Sequence, residues 1–198
     1  MKRIAHALVL ICLYALMVFV VSPRLYEWVG PPVGMVVGAL VIFGGILWLG
    51  LFRATGLRPR DVGWHFDHAG RDAAIGVVGF VLLGAGICVI AWVARGTTPP
   101  ELLASVAGMP MGRRMMALGI GLGAALAEET LYRGYLQPAA GLVPTAIVFS
   151  LGHLSFAPLA LVSHFWSGLV FGALRGRDRS LVAPATAHVL LWAVFGWM

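Results

Sequence analysis

Apolar runs of roughly 18 or more residues recur along this chain, each closed by a cluster of proline, glycine or charge. A run of that length wound into a helix spans the hydrocarbon core of a bilayer, and a helix satisfies its own backbone polar groups there. Hydrophobic residues make up 60% of the 198 and charged residues 11%; a soluble domain usually carries more than twice that charge. The chain therefore reads as an all-α, polytopic transmembrane helical bundle of about seven spans, a single integral membrane domain over residues 1–198. The expected spans are about 4–22, 33–52, 73–94, 113–136, 143–158, 160–174 and 181–197. Breakers separate them at Ser22-Pro23, Gly30 to Pro32, Gly56 to Pro59, Gly96 to Pro100, Pro138 to Pro144 and Gly176 to Ser180. The fifth and sixth are short, and read as tilted or joined by a tight turn at Pro158.

The net charge of +6 needs no nucleic acid to explain it, because basic loop residues set membrane orientation and meet anionic headgroups. With the N-terminus cytoplasmic, the inner segments hold Lys2, Arg3, Arg53, Arg58, Arg60, Arg71, Arg133, Arg175, Arg177 and Arg179. The outer segments keep Arg24, Arg95, Arg113 and Arg114. That asymmetry supports an inside N-terminus, with a bacterial inner membrane as the expected location. Lys2 and Arg3 ahead of an apolar run also fit a signal peptide, but the run to Val21 is long for one and lacks a small-x-small cleavage site. It is read as a retained first helix. Cys12 and Cys88 lie inside apolar runs and read as small hydrophobes, with neither a disulfide nor a metal cluster expected. Glycines such as Gly76, Gly79 and Gly121 read as sites of close helix packing.

Two acidic residues break the pattern. Of the eight in the chain, Glu128 and Glu129 are adjacent and fall inside an apolar segment, Ala124-Ala-Leu-Ala-Glu-Glu-Thr-Leu-Tyr-Arg133. A carboxylate at that depth costs at least a few kcal/mol on insertion scales, about 2.5 or more, so it needs a partner, a water pocket or a function. On a helix, Glu129 and Arg133 form an i,i+4 pair ordered for an ion pair. Glu128 points about 100° away, on the face of Gly121, Ala124, Ala125 and Tyr132. A carboxylate without a cation, over small residues, suits a general base, whereas both glutamates as structural ion-pair members is the plainer alternative.

Two histidines stand at the same depth. At 1.5 Å per residue, Glu128 is roughly 12 Å into its span, His153 roughly 14 Å and His188 roughly 10 Å. Three polar groups on three helices at one level point to a polar site, with Phe149 one turn before His153 as a wall. His164 falls near the expected outer interface, where an amphipathic anchor is the expected role. There is no His-Glu-x-x-His zinc motif and no intramembrane Asp for a Ser-His-Asp triad.

Glu128-Glu129-x-x-x-Arg133, then Phe149-x-x-x-His153, then a late His188 resemble the CPBP (CAAX protease and bacteriocin-processing, Abi) family of intramembrane proteases. The likeness covers about the last 90 residues, so 113–198 would carry the protease-like core. It implies peptide-bond hydrolysis near the membrane, on a membrane-anchored protein or peptide, prenylated or carrying a C-terminal or leader processing signal. Glu128 would activate the attacking water and His153 would bind or orient it. Glu129 and Arg133 would support the site, and His188 would stabilise the oxyanion. Two mechanisms stay open. Glu128, His153 and His188 would form a three-ligand site for Zn2+ or another divalent metal, or would work as base and donors around a metal-free water in a glutamic protease. Where the family places Asn or Asp one turn after the last histidine, this chain has Trp192, and it contains no Asn. A non-catalytic scaffold or bacteriocin self-immunity protein is the competing reading. A proton-coupled transporter is the third, since intramembrane Glu and His also build proton relays.

Overall fold

The computed structural model describes residues 1–30, 34, 37–98, 100, 101, 104, 107, 108, 110–176 and 180–195, with the backbone alone at 113, 116 and 195. Among these residues every regular element is helical and there is no strand. Helix α1 is Lys2–Val29, α2 Val37–Arg53, α3 Ala69–Arg95, α4 111–140, α5 Leu142–Gly152, α6 Pro158–Leu174 and α7 Val182–Phe195.

The helix ends follow from local chemistry. Gly30, Gly96 and Gly141 take positive φ values of 81°, 68° and 88°, and a residue without Cβ enters that region at no steric cost. Each stops α1, α3 or α4 with its N–H still bonded four residues back. Pro23 does not break α1, although Ser22-Pro23 is a breaker by sequence. The turn before it, Met17–Val21, is wound wider, with Ser22 N–H reaching Met17 O five residues back, and proline inside a helix is accommodated by such local adjustment. Helix α4 has a longer wide stretch at Glu129–Leu136, where Gln137 N–H reaches Tyr132 O. Wide turns of this kind concentrate at functional sites.

Helix α4 holds the centre. Helix α7 packs along α3 and α4, α6 against α5 and α3, and α1 against the wide stretch of α4. All eight residues from Glu129 to Leu136 are buried, and Leu131, Tyr132, Tyr135 and Leu136 join Leu10, Ile11 and Tyr14 of α1, Phe149 of α5 and Phe171 of α6 in one apolar cluster. Close approach at Gly76 brings Ala183 O and Thr186 of α7 onto α3, and at Gly168 brings Ala146 of α5 onto α6. A side chain at either position would hold the helices apart, and in lipid this packing, not hydrophobic exclusion, drives association. Below α4, the 3₁₀ turn Pro59–Val62 is closed by the Asp61 carboxylate, which accepts from Arg58 N–H at 2.8 Å and from the Arg58 side chain at 3.3 Å. These bonds hold Asp61 below the usual carboxylate range. The loop is tied upward by Trp64 Nε1–H to Thr130 Oγ1 at 2.8 Å and by Leu181 N–H to Gly63 O at 2.9 Å.

The surface is inverted relative to a soluble protein. Val77, Val78, Val81, Leu82, Val89, Trp92 and Val93 of α3 are exposed, while Glu128, Glu129, Arg133 and His188 are buried; that is how a helix bundle meets lipid. The expected seven spans are not all of membrane length. Lys2–Val29 and Ala69–Arg95 are long and apolar enough to cross, whereas Val37–Arg53, Leu142–Gly152, Pro158–Leu174 and Val182–Val194 are shorter apolar helices. The expected fifth span, 143–158, stops at Gly152, because Leu154 adopts a φ of 50° and turns the chain. Eleven residues rise only about 16 Å against a hydrocarbon thickness of about 30 Å. Of the expected seventh span, 196 and 197 lie outside the described residues.

Candidate active site

Glu128 ends the regular part of α4 and Glu129 begins its wide stretch. The two carboxylates face different neighbours, as their spacing on a helix requires. Glu129 Oε1 pairs with Arg133 Nη1 at 3.2 Å and accepts from His188 Nδ1 at 2.8 Å. Arg133 is sealed: its Nη2 donates to Gly168 O at 3.4 Å, and its guanidinium lies 4.1 Å from the centre of the Phe149 ring and 5.0 Å from that of Phe171. His188 stacks on Phe171 with ring centres 4.6 Å apart. The cluster is thus held by α4, α6 and α7 together, although Glu129 Oε2 and Arg133 Nε have no hydrogen-bond partner among the described residues.

Glu128 Oε1 accepts from Tyr14 OH at 2.8 Å. Its Oε2 has no hydrogen-bond partner among the described protein atoms, and faces His153 Nε2 at 3.9 Å and His188 Nε2 at 3.8 Å. The sequence thus brings Glu128, His153 and His188 together as expected. The tautomers follow from the other ring nitrogens. His153 Nδ1 lies 2.7 Å from Phe149 O, a carbonyl that only accepts, and His188 Nδ1 binds the Glu129 carboxylate. Both Nδ1 atoms therefore carry protons, and each neutral ring presents a bare Nε2. Glu128 Oε2 thus faces two further acceptor atoms. Such an arrangement is repulsive unless a proton, a donor such as water, or a cation sits between them. Charge balance says the same: two buried carboxylates oppose one guanidinium, and one further positive charge neutralises the site.

A carboxylate and two imidazoles, each fixed through its second nitrogen, are chemically suited to a divalent ion. Their spacing is less so. Ligands on one tetrahedral ion at 2.0–2.1 Å sit about 3.4 Å apart, closer than the 3.8 and 3.9 Å here. Among the described residues, no group of three or more His, Cys, Asp or Glu is arranged to hold a metal. A water oxygen about 2.8 Å from Glu128 Oε2 and from one imidazole Nε2 spans such a gap and gives each a proton; the second Nε2 then needs a proton of its own.

Three placements depart from the sequence reading. His153 is not mid-helix but caps the end of α5; it reaches the site because the chain turns back there. His164 is no outer-interface anchor: its ring stacks on His153 with centres 3.9 Å apart and planes 16° from parallel. The small-residue floor beside Glu128 is partly covered, because Trp192 of α7 packs its Cβ against Gly121. Tyr14 was not anticipated. Its one signal is a phenol in mid-run, at a depth where a buried hydroxyl needs an acceptor.

With this geometry in place, residues 110–194 match the family model described as Rce1-like, type II CAAX prenyl endopeptidase. That segment is Rce1-like, consistent with a CPBP-family protease. The Rce1-like segment contains Glu128, Glu129, Arg133, His153, His164 and His188, while Tyr14 lies outside it. No curated protein and no solved structure matches the chain.

Proposed function

We propose that the protein is an intramembrane endopeptidase that hydrolyses a peptide bond of a membrane-associated protein or peptide, with Glu128 activating the attacking water. The observation that carries this reading is the unpartnered Glu128 Oε2 facing two Nε2 atoms at 3.9 and 3.8 Å. A water held there gives one proton to Glu128 Oε2 as its oxygen attacks the carbonyl carbon. His153 orients that water. The tetrahedral oxyanion is met by His188 when Nε2 is protonated, with Glu129 and Arg133 holding the ring. As the C–N bond breaks, the proton on Glu128 passes to the leaving amine, and a new carboxyl end remains. Tyr14 O–H occupies Oε1 and so leaves Oε2 for the water. No step here runs through a metal.

The Rce1-like match supports a substrate carrying a CAAX-type prenylated end. The same reading places 1–198 as one integral membrane domain of about seven spans, with the N-terminus cytoplasmic. The short helices then cross only with their flanking turns, or enter the bilayer part-way. The test is cleavage of a farnesylated peptide by purified protein, with and without a chelator, against Glu128→Gln. Chelator-resistant cleavage that Glu128→Gln abolishes is expected. Loss on chelation, restored by Zn2+, would replace the metal-free mechanism.

A second reading rests on Trp192. Its packing on Gly121 fills space beside the site with an indole where the family has an amide or acid. A non-catalytic scaffold or self-immunity protein would keep its function in Glu128→Gln and lose it when that packing is disturbed.

A further inference from the structure

Away from the polar site, near the start of α1, Lys2, Arg3, His6, Thr55, Leu57 and Tyr135 line a cavity of about 350 Å³. That is within the range of small-ligand pockets, about 300–1,000 Å³. Its walls are built. Arg3 Nε–H donates to Tyr135 O at 3.1 Å, the Arg3 guanidinium lies 4.8 Å from the centre of the Tyr135 ring, and His6 Nδ1 is 2.9 Å from Tyr135 OH. Thr55 Oγ1 donates to Leu51 O at 2.7 Å, which fixes the facing wall. The Tyr135 O bond uses one of the five guanidinium N–H donors of Arg3, and Lys2 and Arg3 remain exposed.

The positive charge here has no answer within the described structure. No acidic residue lines the cavity, and among the described residues neither Lys2 nor Arg3 takes part in an ion pair. Both stand in the first turn of α1, which has neither an acidic residue nor a capping side chain. A helix N-terminus is itself partly positive, so cations there are unfavourable until an anion joins them. A second cavity, of about 220 Å³ beside Arg71, differs in this respect. It contains Asp72, whose carboxylate accepts from Arg71 at 3.1 and 3.2 Å. The cavity at Lys2 and Arg3 calls for an anion from outside.

The surroundings select the kind of anion. Lys2–Val29 is long and apolar enough to cross a bilayer, so its first turn stands at headgroup level. At about 100° per residue, Lys2, His6, Val9, Leu13 and Leu16 fall within about 80° of one another on one face of α1. Val9, Leu13 and Leu16 are 57%, 47% and 49% exposed. From His6 to Leu16 is about 15 Å, half of a hydrocarbon core of about 30 Å. A cationic pocket thus heads an apolar stripe as long as one leaflet is deep. Inorganic phosphate shares the chemistry of the pocket but leaves the stripe unused; a phospholipid uses both. We propose that this cavity binds the headgroup of one anionic phospholipid, with its phosphate on Lys2 and Arg3 and an acyl chain along Val9, Leu13 and Leu16. Leu57 and the Tyr135 ring flank the glycerol. The site stands apart from the chemistry at Glu128 and does not depend on the protease reading.

The test titrates lipid into the full-length protein, delipidated in detergent, and counts bound molecules by native mass spectrometry. Dioleoyl phosphatidylglycerol should occupy one site at least about ten-fold more tightly than dioleoyl phosphatidylcholine. Lys2→Gln, which removes no bond within the protein, should weaken phosphatidylglycerol about five-fold, and Lys2→Gln/Arg3→Gln about thirty-fold. Arg24→Gln, exposed toward the other end of α1, should leave the affinity unchanged. Dihexanoyl phosphatidylglycerol should bind at least about ten-fold more weakly than the dioleoyl lipid, and excess inorganic phosphate should not displace it. Phosphatidylglycerol should also raise the unfolding temperature of the wild type, and Lys2→Gln/Arg3→Gln should lose that rise. Equal affinity for the two dioleoyl lipids, or an equal loss in Arg24→Gln, would reduce the binding to general surface attraction and overturn the proposal. Displacement by inorganic phosphate, or equal binding of the short-chain lipid, would make the cavity a free-anion site and overturn it as well. So would a double variant that keeps the wild-type affinity, since the lipid would then sit elsewhere.

Discussion

Glu128 and Glu129 are neighbours in sequence and occupy opposite kinds of environment. Glu129 is enclosed: it and Arg133 have side chains 0% exposed, and α4, α6 and α7 supply the partners of the pair. Each carboxylate keeps one oxygen without a hydrogen-bond partner among the described residues, but Glu128 is 8% exposed and His153 beside it 19%, whereas Glu129 is sealed. The closed half spends its polarity on holding α4, α6 and α7 together. The open half leaves an acceptor pointing at a gap. The difference shows how a single helix carries both structure and chemistry: a step of one residue turns a side chain by about 100°, enough to move it from a sealed ion pair to a reactive face.

The comparison breaks most readily on the closed side. Arg133→Met leaves Glu129 buried without its cation, and removing one partner of a buried pair costs about 3–5 kcal/mol. The variant should unfold at markedly lower denaturant or temperature, followed by far-UV circular dichroism in detergent. A stability within about 1 kcal/mol of the wild type would mean that the Glu129 cluster is not what holds the helices. The open side is sharpened by Tyr14→Phe. It removes one hydrogen bond to a charged group, about 1.5–3 kcal/mol, so kcat should drop about ten- to a hundred-fold with KM little changed. Equal loss in thermal stability and kcat would assign Tyr14 to packing alone. The smallest effect is expected at His164. His164→Ala removes a stacking partner of His153, about 0.5–1.5 kcal/mol, giving a three- to ten-fold fall in kcat. His164→Phe, which keeps a ring there, should restore most of it. Failure of phenylalanine to rescue would show that the nitrogen atoms of His164 matter, and not its face.

Much of the closed half is legible in the sequence, because the Glu129–Arg133 spacing is a local helix relation. The convergence of Glu128, His153 and His188 is legible as depth along separate helices, and Glu128 Oε2 stands within 4 Å of the Nε2 atom of each imidazole. What local periodicity cannot supply is the turn. His153 sits at a helix end set by Leu154 at positive φ, and that reversal lays α6 and His164 back over His153. Tyr14 is hidden for a related reason: a tyrosine in an apolar run reads as an interfacial anchor until another helix, 114 residues away in sequence, brings it a carboxylate. The span count fails where apolar length was taken for helix length, since an apolar run contains its own turns, as at 152–158.

The most direct test compares turnover and stability in one variant. Glu128→Gln keeps the shape of the side chain and the acceptor for Tyr14 but removes the base. Single-turnover cleavage of the farnesylated peptide should fall at least about 10²–10⁴-fold, while the thermal unfolding of the protein stays close to that of the wild type. Cleavage at the wild-type rate by a correctly folded Glu128→Gln would contradict the account.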